Sequence, residues 1–197
     1  MFLSWFLGIE LNKSLVVFGN SFNSFLFVCC FDCRIAVFKA GYCLRDTQIL
    51  SVLTFLYTPS SQGKLCQIKT GEGKTTIVSL FAAIKALQGE IVDVITSNQV
   101  LAKEGVEETK KLYTILGLSV SHNNSNGIYK EGPKEAYTAD ILYGCISNFQ
   151  FDYLKDSFKG LCTRADRKFG NVILDEVDNM IIDNGSYIAK LSGPFPG

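Results

Sequence analysis

The sequence predicts an α/β fold, a parallel sheet with helices on both faces, and three observations predict it. Strand-like apolar runs alternate with helix-like segments across short loops. The stretch Lys69-Thr70-Gly71-Glu72-Gly73-Lys74-Thr75-Thr76 stands between an apolar run and a helix-like segment. The acidic stretch Asp175-Glu176-Val177-Asp178 follows the apolar run Val172-Ile173-Leu174. A length of 197 residues bounds the chain to one domain, or one domain with a tail.

Residues 1–40 differ in composition from the rest. Ser14 to Phe31 is rich in Phe, Leu and Val but is interrupted by Gly19-Asn20-Ser21 and Asn23-Ser24. Its length is near the minimum of roughly 18–20 residues for a membrane span, and the polar interruptions are costly in hydrocarbon. No basic residue precedes the first apolar stretch, so it is a poor signal peptide. The leading reading is a segment packed on the domain. Membrane association, or a segment foreign to the native coding sequence, stand as alternatives.

Asp46 is a candidate N-cap for a helix carrying Ile49, Leu50, Leu53 and Leu56 at helical spacing. Gln48 could pair with adenine through its amide; standing alone it reads as a surface residue. Pro59-Ser60-Ser61-Gln62-Gly63 breaks the chain before the apolar run Leu65-Cys66-Gln67-Ile68, read as a strand.

The glycine-bracketed Lys-Thr that follows is a recipe for holding phosphates. Gly71 and Gly73 permit a tight turn that aims backbone N–H groups at oxygens, and a helix starting at Lys74 adds its positive end. Lys74 offers a charge for the β- and γ-phosphates, and the Thr75 hydroxyl suits Mg²⁺. The full Walker A pattern wants Gly at position 68, where this chain has Ile68. The bland alternative is an ordinary strand–turn–helix connection. An acidic pair at the carboxyl end of a buried strand is where a parallel-sheet nucleotidase holds Mg²⁺ and its attacking water. The bland reading of 175–178 is a solvated acidic turn. The two motifs in this order support one another.

Further on, Ile91 to Thr96 reads as a strand and Val100 to Leu116 as a helix stopped by Gly117. Leu118 to Ser121 reads as a short strand and 122–133 as a loop containing His122, the one histidine. Asp140 to Tyr143 is a strand; Ser147 then caps a helix whose Phe149, Phe151, Tyr153 and Leu154 read as core. Lys155, Lys159, Arg164, Arg167 and Lys168 read as an exposed basic connection. Gly193-Pro194-Phe195-Pro196-Gly197 reads as linker.

Hydrophobic residues make up 47% of the chain, ample for a core, and the formal net charge is +0. No general basic field is available to hold nucleic acid. The seven cysteines form no framework; Cys30-x-x-Cys33 is half a zinc site at best. Such usage suits a reducing compartment and mostly buried thiols.

From about Tyr42 to Pro194 the chain resembles the first nucleotide-binding domain of the SecA protein translocase motors, relatives of the DEAD-box helicases. The resemblance is carried by Leu44-Arg45-Asp46-Thr47-Gln48, by residues 67–75, by Ile95-Thr96-Ser97-Asn98 and by Ile141-Leu142-Tyr143-Gly144. It continues through Phe149-Gln150-Phe151-Asp152-Tyr153-Leu154-Lys155-Asp156 and residues 173–183. In this family position 68 need not be Gly.

The resemblance implies a RecA-like P-loop NTPase domain over residues 41–197, with 1–40 as a divergent apolar segment. It implies ATP and Mg²⁺ as ligands. Arg45, Gln48, Thr70, Gly71, Glu72, Gly73, Lys74, Thr75 and Thr76 would bind the nucleotide, with Gln48 reading adenine. Thr75 and Asp175 would hold Mg²⁺. Lys74 and Glu176 would be catalytic, Glu176 orienting the attacking water. Ser97 and Asn98 would lie where the nucleotide is coupled to the neighbouring surface.

Implied partners are a preprotein or membrane translocon, and a second motor domain in the same longer protein or in trans. No specific nucleic acid is implied, and the expected location is cytoplasmic or peripheral to a membrane. After Asp183 the chain reads Asn184-Gly185-Ser186-Tyr187, which departs from the bacterial pattern. An arginine from the second motor domain contributes roughly 10³–10⁵ in rate in such motors, so little turnover is expected of this polypeptide alone. A helicase-type, nucleic-acid-dependent ATPase and a non-catalytic binding module are the alternatives.

Overall fold

A computed structural model describes residues 41, 43–57, 63–124 and 132–183. The segment 1–40, with Cys30 and Cys33, lies outside the described residues. So do Pro59 to Gln62 of the 59–63 break, residues 125–131 of the polar loop and the terminal linker.

The described chain runs α1 (Asp46–Leu56), α2 (Lys74–Leu87), β1 (Val92–Thr96), α3 (Gln99–Ile115) and β2 (Val120–His122). A 3₁₀ turn (Glu135–Thr138), β3 (Ile141–Cys145), α4 (Ile146–Lys159), β4 (Asn171–Leu174) and a π-helical turn (Asn179–Asp183) follow. The sheet order is β2-β3-β1-β4 and every pairing is parallel. Parallel neighbours need helical crossovers, which is why α3 and α4 stand between paired strands.

Both central strands, β1 and β3, are buried along their whole length. Their alternation feeds two cores. Val92, Val94, Ile141 and Tyr143 face Ile77, Leu80 and Ile84 of α2 with Ala102, Leu112 and Tyr113 of α3. Ile95 and Leu142 face Tyr137, Phe149 of α4 and Met180 on the other side. Helices therefore cover both faces, as the sequence predicts. On the α2 side, Tyr113 and Tyr143 meet hydroxyl to hydroxyl at 3.1 Å. Burial pushes the Tyr143 phenol above its ordinary pKa.

Several sequence expectations change. The run Leu65 to Ile68 is not a strand; Leu65 is 85% exposed and only Ile68 packs on the larger core. A parallel strand exists only beside a neighbour, and this segment joins neither described edge of the sheet, β2 nor β4. Helix α1 is capped by Arg45, with Asp46 as its first residue. The Arg45 N–H donates to Gln48 Oε1 (3.1 Å), and Asp46 still meets the positive helix end. The buried residues of α1 are Gln48 and Val52, while Leu50 is exposed.

His122 ends β2 and is half-buried rather than a loop residue. Cys145, not Ser147, caps α4; of the helix's aromatics only Phe149 is buried, and Phe151 and Tyr153 are exposed. Of the described cysteines, Cys145 is buried and Cys43, Cys66 and Cys162 are exposed.

The basic connection is not solvated throughout. Arg167 is 5% exposed in its side chain and pairs with Asp93, and Arg164 pairs with Asp156. Asp152, fully buried, accepts from Lys134 Nζ (2.7 Å) and from the Tyr137 hydroxyl (2.8 Å). Each buried carboxylate thus has its cation, which is the condition for burying it. Asn98 caps α3 through Oδ1, which accepts from Leu101 N (2.9 Å), and Gly117 follows that helix at φ +73°.

Candidate nucleotide site

Two segments converge near the carboxyl end of the sheet: the glycine loop before α2 and the acidic turn after β4. The loop closes by a Glu72 N–H to Lys69 carbonyl bond (3.2 Å). Gly71 and Gly73 sit at φ +86° and +78°, where L side chains are strained. Gly73 is the N-cap of α2, so Lys74 and Thr75 are its first helical residues. Both are exposed, and neither side chain is hydrogen-bonded to a described residue. The Lys74 and Thr75 amides have no intrahelical acceptor, which leaves this end electropositive, while the Thr76 N–H donates back to the Gly73 carbonyl (3.1 Å).

Gln48 of α1 underlies the loop. Its Nε2 donates to the Glu72 carbonyl (3.0 Å) while its Oε1 accepts from Arg45 N (3.1 Å). Gln48 is 6% exposed, so the reading as a surface residue is corrected. Arg45 Nη1 lies 3.5 Å from Glu72 Oε2, an exposed pair of small energetic weight. Thr70 is exposed and Thr76 half-buried, its carbonyl accepting from the Ser79 hydroxyl (3.0 Å).

On the acidic side, the Asp175 N–H donates to the Ile95 carbonyl (2.9 Å), carrying the β1–β4 ladder one residue past β4. Asp175 is half-buried. Burial raises its carboxyl above the usual range, and the Glu176 charge adds to the rise. The Glu176 N–H and the Lys74 charge pull the other way. Glu176 is non-glycine at φ +57°, a backbone conformation L residues seldom adopt. Its Oε2 accepts from the Ser97 hydroxyl at 2.8 Å.

The structure therefore groups Arg45, Gln48, Glu72, Gly73, Lys74 and Thr75 on the loop side, and Ser97, Asp175 and Glu176 on the acidic side. A hydroxyl at Thr75 and a carboxylate at Asp175 are hard oxygen donors of the kind Mg²⁺ takes, and the exposed Lys74 with the free helix amides suits phosphate oxygens. The bond between Ser97 and Glu176 has no local signal in the sequence, since 79 positions separate them.

The SecA DEAD-like domain family matches residues 33–196. Curated relatives named protein translocase subunit SecA align over two thirds of the chain. The protein from Campylobacter concisus is 41% identical over 135 residues, 68% of this chain and 16% of that protein. Those from Gluconobacter oxydans and Geobacter metallireducens are 40% and 43% identical over 136 and 133 residues. These cover 67% of this chain in each case, and 14% and 15% of the two relatives. The chain thus spans about a sixth of the length of the relatives it matches. Among the described residues, no helix is long and apolar enough to cross a membrane.

Proposed function

The chain belongs to the SecA DEAD-like domain family, and from that premise we propose that it is the ATP-binding part of a protein-translocation motor. One observation carries the reading: an exposed Lys74 and Thr75 start α2 behind a loop with two glycines at positive φ, and α2 packs on β1 and on β4, the strand that leads into Asp175 and Glu176. The proposed domain is residues 41–197, with 1–40 a separate apolar segment.

In this reading the amides of Gly71, Gly73, Lys74 and Thr75 take the phosphates, and Thr76, whose N–H donates to the Gly73 carbonyl (3.1 Å), lends its hydroxyl. Thr70 and Glu72 shape the loop, and Arg45 and Gln48 form the base side. Thr75 and Asp175 hold Mg²⁺, which when bound neutralises charge on the phosphates. Glu176 orients the attacking water, and Lys74 offsets charge that develops on the γ-phosphate. Gln48 uses one Nε2 hydrogen and one Oε1 lone pair to hold the loop against α1, and its second hydrogen and lone pair are the ones that would meet adenine. Supporting this assignment, the site's two halves are held by separate elements, α1 with α2 and β1 with β4. Binding can then adjust one against the other.

The relatives are named as translocase subunits, so the proposed partners are a preprotein and a membrane translocon. A second motor domain, in the same longer protein or in trans, completes the nucleotide cleft. Turnover by these 197 residues alone is accordingly expected to be low, and the location cytoplasmic or peripheral to a membrane. Equilibrium binding of a fluorescent ATP analogue with Mg²⁺ tests the core of the proposal. Saturable binding that Lys74→Ala abolishes, with an unchanged circular dichroism spectrum, supports it. Equal binding by both proteins, or by neither, overturns it.

A further inference from the structure

We propose that Ser97 is a positioning residue for Glu176, fixing which oxygen of that carboxylate is left to meet the attacking water. The inference rests on the role given to Glu176 above and goes beyond it. Ser97 immediately follows β1 and Glu176 lies two residues beyond β4, which pairs directly with β1. The ladder reaches Asp175 through its bond to Ile95, so the next residue on each strand comes level with the other. The hydroxyl of Ser97 donates to Glu176 Oε2 at 2.8 Å.

The donor is itself held. Thr96 Oγ1 donates to the Asn98 carbonyl (2.9 Å), with the Gly144 carbonyl 3.4 Å away as a second, weaker acceptor for the same proton. Asn98 is locked by capping α3. The residues on either side of Ser97 are therefore pinned to β3 and to a helix start, and Ser97 has little freedom to follow a wandering carboxylate. The acceptor's backbone is constrained too: Glu176 is at φ +57°, and its carbonyl accepts from Met180 N (3.2 Å). Between a held donor and a constrained backbone, the glutamate side chain is anchored through Oε2. Oε2 is occupied, and Oε1 has no hydrogen bond to a described residue. A carboxylate oriented in advance spares the ordering cost at the moment of reaction.

The test is a double-mutant cycle on the full chain, using Ser97→Ala, Ser97→Thr, Glu176→Gln and Ser97→Ala with Glu176→Gln. Single-turnover hydrolysis of Mg·ATP is read with protein in excess, alongside nucleotide affinity. The expected result is a rate about tenfold lower in Ser97→Ala with affinity unchanged, the rate equivalent of one hydrogen bond to a charged group. Ser97→Thr, which keeps the hydroxyl, retains most of the rate. In the Glu176→Gln background the serine substitution has no further effect. A wild-type rate in Ser97→Ala, or additive losses in the double variant, overturns the role of Ser97 while leaving nucleotide binding standing. A wild-type chain that binds nucleotide but hydrolyses none of it in a single turnover overturns the role of Ser97 alone, and one that binds no nucleotide overturns the functional reading and this role with it.

Discussion

The amide nitrogen of Gln48 occupies the space that a Cβ on Gly73 would need, while donating to the carbonyl of Glu72 next door. The glycine loop is thereby seated on α1 by one side chain. Gly71, also at positive φ, has open space where its Cβ would stand. The two glycines thus separate backbone strain from contact. Gly71→Ala is expected to cost about 1–2 kcal/mol from left-handed strain alone. Gly73→Ala bears the same strain and must also push the Gln48 amide aside. That amide is the far end of a flexible side chain, so the added cost is its hydrogen bond, about 1 kcal/mol. Urea unfolding of the two variants measures the difference. Gly73→Ala combined with Gln48→Ala should lose less than the sum of the single changes, and strict additivity would show that the amide and the glycine do not interact.

The Arg167 guanidinium is inserted under the sheet. It lies 2.9 Å from Asp93 Oδ1 and donates through Nη2 to the Val92 carbonyl (3.0 Å) and through Nη1 to the Ala139 carbonyl. It therefore joins β1, the approach to β3 and the connection to β4. Burial pushes the Asp93 carboxyl up, and Arg167 restrains the rise. Arg167→Met leaves that carboxylate and the carbonyls without their donor. A loss of about 3–5 kcal/mol is expected from removing one partner of a buried pair. Adding Asp93→Asn should return part of it, measured by the same unfolding midpoints. A loss under about 1 kcal/mol for Arg167→Met would mean that the pair is solvated in solution.

The sequence made the sheet legible because parallel strands read as apolar runs, and all four described strands overlap segments read as strands from the sequence. It made the turn at Gly71 and Gly73 legible because both glycines sit at positive φ, a conformation with a backbone reason for glycine. Leu65 to Ile68 carries the same apolar signal, yet a strand is a property of two chains side by side, and periodicity records only one. Phe151 and Tyr153 misled in the same way, since aromatic content does not say which helix face meets the sheet. Arg167 looked like a solvated charge because its partner Asp93 is 74 positions away. Ser97 and Glu176, 79 positions apart, meet only through strand pairing. Local chemistry was readable; long-range pairing of polar side chains was not.

Helix α3 approaches β3 where Gly105 faces Tyr143. A Cβ on Gly105 would come 2.9 Å from the Tyr143 ring, which is itself buried and hydrogen-bonded to Tyr113. An aromatic ring packed in a core has no free direction to move. Gly105→Ala gains helix propensity of about 1 kcal/mol but overpacks by about 1–3 kcal/mol. Net destabilisation is expected, and a raised thermal midpoint would show that the helix can shift outward instead.

Asp156 organises the connection that delivers Arg167. Its carboxylate accepts from the backbone N–H groups of Thr163 and Arg164 and from Arg164 Nε (3.0 Å). The same connection contains Cys162 and Ala165 at φ +51° and +49°, conformations that cost a few kcal/mol together unless neighbours enforce them. Partial burial tends to raise the Asp156 carboxyl, but the Arg164 and Thr163 donors outweigh it and hold it below 3.8. A carboxylate whose pKa is lowered on folding contributes stability that is present above its unfolded pKa. That stability is lost as pH falls through the lowered folded value. Asp156→Asn should therefore cost about 1–3 kcal/mol at pH 7, where the charged acceptor is intact. The gap between variant and wild type should narrow below about pH 3.8, as the wild-type carboxylate takes up its proton. Urea midpoints of both proteins across that range measure it. A gap independent of pH would assign the loss to geometry, because the asparagine amide replaces an acceptor with a donor, and not to the charge on Asp156.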